Sequence, residues 1–240
     1  IAGASISKDD PMSVVQQRYK QIEIMLPPNI AFELIGQAFS PISAAKDQWE
    51  IITRDLNSRI QASKTAIMNS TAVKSNSVMQ NMLPIHPMAA LVLKNIASAF
   101  QSNQRSMFDF IKTPKDLDLD VHAFQWFIQN TGPESDRPLL TVDMLWDFFY
   151  EKGKDYLTSD IKLVLDTYSQ QTNLIEKEQI VLKTILIMQA VDQRLGGSIP
   201  LLKATDQNLS YAFEGDWDVY ENGCRSIAKA LVKKGVLIQT

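Results

Sequence analysis

The stretch 83–111, LPIHPMAALVLKNIASAFQSNQRSMFDFI, constrains this chain more than any other. From Met88 to Phe100 it is apolar almost all the way round, with Lys94 its only charge. A helix that is apolar on every face is buried on every face. Pro87 suits the first turn of such a helix, where its missing N–H costs nothing, and Pro84 favours extended backbone just before it. Past Phe100 the chain turns polar at 101–105, then apolar again at Met107, Phe108, Phe110 and Ile111. The reading is a central buried helix, a tight polar break and a short second helix, with the rest of the chain packed around the pair.

Enough chain exists to do this. Apolar residues make up 45% of 240, and nine glycines are about half the usual share, which favours helices over turn-rich β architecture. Helical spacing of apolar residues marks 9–25, 28–39 and 43–68; in the last, Trp49, Ile52, Leu56, Ile60 and Ile67 share one face. The small polar run 69–81 reads as a loop or linker, 117–121 as a short extended segment, and 121–129 as an aromatic helix. TGPESDRP at 131–138 reads as a boundary between two helical subdomains, 1–132 and 139–240.

Beyond that boundary, helices are expected over 141–150, 158–168, 176–191, 205–213 and 216–234, with an extended piece at 198–202 and Gly235 ending the last helix. The final residues 235–240 read as a strand. Three helices followed by a strand is the order of a winged helix without its wing. The fold class is therefore mainly α: a multi-helix bundle around a buried central helix, with a winged-helix-like C-terminal subdomain. A lone terminal strand is a poor stopping point, and the first residues are neither an initiator Met nor a signal sequence. Both ends are expected to be cuts in a longer polypeptide.

Several chemistries can be set aside. The only Gly-Lys pair, Gly153-Lys154, is followed by Asp155, and Phe148 stands where a P-loop needs its first glycine. His86, His122 and Cys224 are single and far apart, so no zinc site is expected. No catalytic pairing of acids, bases or nucleophiles emerges. A net charge of −3 gives no bulk attraction to nucleic acid or membrane. One cysteine excludes an internal disulfide and fits a reducing, cytoplasmic setting.

Two features point towards partners. Arg225, Lys229 and Lys233 recur every fourth residue, lining one face of the last helix, the element that would enter a DNA groove in a winged helix. The plainer reading is a solvated face. Arg105, beside Asn103 and Gln104 in the polar break, either ties down helix ends through its donors or faces a phosphate supplied by another domain.

Leu83-Pro84-Ile85-His86-Pro87, the apolar helix, and Asn103-Gln104-Arg105-Ser106-Met107-Phe108-Asp109-Phe110 resemble a recurring segment of large bacterial AAA-like P-loop ATPases, multidomain proteins often linked to defence against foreign DNA. That pattern runs His-Pro, apolar helix, Gln-Asn-Glu-Arg-[Ser/Thr]-x-Phe-x-Phe; here Ser102 and Gln104 replace its Gln and Glu. The regions 140–149 and 176–240 are similar to the helical lid and winged helix that follow in such proteins. The resemblance implies that the ATP- and Mg-binding core lies outside this chain, which itself holds no cofactor. It also makes Arg105, Asn103 and His86 the candidates for nucleotide sensing, and the remaining parent polypeptide the first partner. Two alternatives stand beside it: a helical protein–protein interaction or scaffold module, and a winged-helix DNA binder using Arg225, Lys229 and Lys233.

Overall fold

The computed structural model describes residues 30–71, 73, 75–96, 107–112, 122–216, 219 and 223–238. Among these, helices α1 (Ile30–Gln37), α2 (Lys46–Arg59), α3 (Gln61–Ser70), α4 (Asn76–Asn81), α5 (Pro87–Ile96), α6 (Met107–Lys112), α7 (Phe124–Asn130), α8 (Ser159–Asp166), α9 (Glu176–Arg194), α10 (Asp206–Ala212) and α11 (Cys224–Lys233) are joined by short 3₁₀ turns. Among the described residues there is no strand; an isolated parallel bridge joins Ile85 to Leu140. The fold is mainly α, as the periodicities and glycine count imply. The expected helix at 9–25, the extended segment at 117–121 and the end of the central helix at 97–100 lie outside the described residues.

α5 is the buried rod expected from its composition. Pro87 through Leu93 are all buried, as is Ile96. It touches α1, α3, α6, α9 and α10. Lys94 reaches out of the core over the Phe32 ring, 5.3 Å from its centroid, an arrangement that lets a charged head sit at the edge of an apolar helix. α9 forms the second axis, against α5, α8, α10, α11 and the 3₁₀ turn Val142–Leu145. One hydrophobic cluster runs from Phe32 to Leu231. The loop 131–138 is thus a surface connection across a continuous core.

Several local expectations change. The helix read over 43–68 is broken at Ile60 (φ −122°, ψ 34°) into α2 and α3. The run 69–81 is not a loop: α3 continues to Ser70, and α4 follows with its Met79 buried and Ser75 Oγ accepting from the Ser77 N–H. One buried side chain in six residues is too little to show a period. The residues before Pro84 belong to α4 and a turn instead of an extended run.

The aromatic helix of 141–150 is a 3₁₀ turn followed by a π-helical turn, Asp147–Glu151. Phe148, Phe149 and Tyr150 are buried in succession there. A Cβ on Gly153 would lie 2.3 Å from the Phe149 carbonyl oxygen, so this turn can close only over glycine. Residues 198–202 hold a 3₁₀ turn, Pro200–Leu202, in place of an extended piece.

The last helix ends as Gly235 foretells, at φ +74°. The Val236 N–H donates to the Leu231 carbonyl at 2.9 Å and the Gly235 N–H to the Val232 carbonyl at 3.0 Å, which satisfies two orphan acceptors of α11. This turn folds Val236 and Leu237 back onto the core, so residues 235–238 do not continue as a strand.

Candidate functional site

Three loops converge at the N-terminus of α5. Segment 83–86 meets 139–140 through the bridge: the His86 N–H donates to the Leu140 carbonyl at 3.0 Å, and the Leu140 N–H to the Pro84 carbonyl at 2.9 Å. The turn 213–216 closes the junction from the other side. His86 is fully buried. Its Nδ1 accepts the Met88 N–H at 3.1 Å, capping α5 from the side chain, and its Nε2 donates to the Glu214 carbonyl at 3.1 Å. Burial drives the ring's pKa down to about 4, despite that backbone hydrogen bond, so the imidazole is neutral and both nitrogens are engaged.

The same turn carries two further links. The Glu214 carboxylate accepts the Ala62 N–H at 2.9 Å and the Ser63 N–H at 2.6 Å, the free donors of the first turn of α3. Asp216 accepts from Arg137 Nε at 2.6 Å. Arg137 also donates to both oxygens of Asp143, at 3.0 and 2.8 Å, and to Thr141 Oγ1 at 2.7 Å. The guanidinium side chain is 19% exposed, and the two carboxylate side chains 7% and 1%. Burial alone would lower the Arg137 pKa; Asp143 and Asp216 outweigh it and hold the pKa above its ordinary value. Burial holds the Asp216 carboxyl above its ordinary value, against the pull of Arg137. One guanidinium is thus shared between two buried carboxylates.

Arg137 and Asp143 form one wall of a cavity of about 480 Å³ that α7, the 142–147 turn and α9 enclose. That volume is in the range of small-molecule sites. Its other notable groups are the His122 ring, stacked on Trp126 at 3.9 Å, and Asp147, whose carboxylate accepts the backbone N–H of His122 at 2.7 Å. Lys183 also lines it, with its ammonium 5.8 Å from the Trp146 ring centroid and 5.2 Å from that of Tyr168. No cluster of three or more His, Cys, Asp or Glu able to hold a metal occurs among the described residues.

Of the sensing candidates, His86 lies at the junction, whereas Asn103 and Arg105 fall outside the described residues. Arg225, Lys229 and Lys233 all sit exposed on α11, opposite its buried Cys224, Ala228 and Leu231. Arg225 is already tied to α10, donating to Ser210 Oγ at 2.7 Å and to the Asp206 carbonyl at 3.2 Å. Sequence reasoning missed Arg137, Asp143, Glu214 and Asp216. Glu214 and Ala62 are 152 positions apart, and no local pattern encodes such a pairing. The one available signal was an arginine between Asp and Pro in a loop followed by Thr141-x-Asp143.

No protein-family model matches this chain, and neither a curated protein nor a solved structure matches it.

Proposed function

We propose that this chain is the non-catalytic helical lid and regulatory portion of a larger ATP-hydrolysing protein, coupling nucleotide state to a partner. The observation that carries the reading is where three of the segments bearing the ATPase resemblance go. His86-Pro87 opens α5 and bridges to Leu140. Phe110 of α6 packs against both Phe148 and Phe149, with ring centroids 5.4 and 5.8 Å away. Segments distant in sequence thus form one packed unit around α5, as parts of a single recurring module should.

Within this reading, Arg105, two positions before α6, is the nucleotide-sensing residue, with Asn103 beside it. His86 has both nitrogens occupied and acts by fixing where α5 begins. The test is ATP hydrolysis by the full product of the gene, alongside its Arg105→Ala variant. The reading expects a P-loop in that product and a slower rate in the variant. Equal rates end the sensor role, and a gene product without a P-loop ends the reading.

A helical interaction module is the second reading. It is favoured by an apolar groove of about 370 Å³ lined by Phe39, Trp49, Ile111, Phe124 and Ile128, the last 45% exposed. Direct DNA binding is the third, supported by exposed Arg225, Lys229 and Lys233. It expects binding to duplex DNA with a steep salt dependence that the Lys229→Ala and Lys233→Ala changes reduce. A flat titration at low salt removes it.

A further inference from the structure

We infer that α2 is a hinged flap, pivoting at Ile60, whose closed position is held by the turn Glu214–Asp216. The sequence from 43 to 68 has the apolar period of one uninterrupted helix, yet the backbone leaves helical geometry at Ile60. The break is imposed from outside. Glu214 supplies the carboxylate that the Ala62 and Ser63 N–H groups need once their helical acceptors are gone. Gly215, at φ +79°, fits into the notch itself: a Cβ there would lie 3.0 Å from Leu139 Cδ1, 3.1 Å from Ile60 Cγ2 and 3.3 Å from Arg59 Cβ.

The pivot is provisioned on both sides. The Gln61 side chain donates to the Asn57 carbonyl, which would otherwise accept from the backbone in a continuous helix. Lys64, only 5% exposed, reaches back across the break to Asn57 Oδ1 at 3.1 Å and lies in the field of Glu214.

The two sides of the pivot are anchored very differently. Ile67 of α3 is part of the main hydrophobic cluster, whereas α2 is held through a separate small one, Leu56, Ile60, Leu83 and Leu139, with Ile52 at its edge. Only Thr53 and Leu56 of α2 are buried. Lifting α2 therefore uncovers Leu83 and Leu139, the backs of the two loops that bridge beside His86, and withdraws half-buried Trp49 from its groove beside Phe39 and Phe124, while the main cluster stays closed. The flap position is read by the same turn that binds His86 through the Glu214 carbonyl and Arg137 through Asp216. Motion at α2 and order at the N-terminus of α5 are then linked mechanically. This holds whether or not nucleotide is the input.

The experiment uses the full chain with spin labels on exposed cysteines at Gln48→Cys in α2 and Gln193→Cys in α9, and a control pair at Leu163→Cys in α8 and Gln193→Cys. Wild type should give one narrow distance for each pair. Glu214→Ala should add a longer distance for the α2 pair, with the open fraction rising about tenfold, the usual effect of losing a helix cap. Glu214→Gln, which keeps one acceptor oxygen and the side-chain shape, should give a smaller rise. Gly215→Ala should push the same way as Glu214→Ala, by contact with Ile60 and Arg59. The control pair should stay narrow throughout. An unchanged α2 distance in the folded variants overturns the flap, and equal broadening of both pairs shows general loosening and overturns it too.

Discussion

Helices α5 and α2, of 10 and 14 residues, are held in opposite ways. α5 has seven consecutive buried residues, Pro87 to Leu93, and meets helices from both halves of the chain. α2 buries two residues and carries Ile51 at 65% exposure. The position of α5 follows from its own composition, because no orientation of so apolar a rod is tolerable in water. The position of α2 depends on groups distant in sequence: Glu214, Gly215 and Leu139. Burial by composition is legible in a sequence; position by a remote cap is not.

The comparison can be broken most forcefully at α5. Leu91→Ala should cost roughly 2–5 kcal/mol in urea unfolding, the range for a fully buried leucine in a close-packed core. A cost under about 1 kcal/mol would mean that α5 is not the sealed rod described, since such values belong to surface positions.

Acidification comes next, and it acts at the junction between the two regions. The His86 pKa falls from an ordinary 6.5 to about 4 in the fold. Between those values the unfolded chain binds a proton that the native state refuses. Stability is therefore full above pH 6.5, declines as pH drops and loses this contribution by about pH 4, roughly 3 kcal/mol in all. His86→Asn, which can still cap α5 through its side-chain oxygen, should flatten that slope in denaturation curves taken at successive pH values. Asp216 works in the other direction: its raised pKa means that protonation favours the native state, so Asp216→Asn should steepen the acid limb.

The smallest effects sharpen the contrast. Ile51→Ser on α2 and Lys229→Ala on α11, both at exposed positions, should shift stability by no more than about 0.5 kcal/mol. A large loss at Ile51 would show α2 to be more firmly embedded than its two buried residues indicate.

How much of this was readable beforehand divides along the same line. The central helix, the all-α class and the Gly235 stop were local signals and were legible. α4 was not, because its single buried Met79 sits in a run of Asn, Ser and Gln. The π-turn was not, because a row of aromatics reads as an ordinary helix until Gly153 is seen beneath the Phe149 carbonyl. Of the junction, only His86 stood out, on the strength of a resemblance. Arg137, Asp143, Glu214 and Asp216 did not stand out, since nothing local announces that a loop arginine will meet an aspartate 79 positions away.

The most direct test of the central claim is native-state amide exchange at increasing low denaturant, read along both helices. The account predicts that amides 91–96 of α5 exchange only with global unfolding, while those of α2 open at lower free energy and with little denaturant dependence. Exchange of α5 through an opening smaller than the global one, or α2 protected as fully as α5, would contradict it.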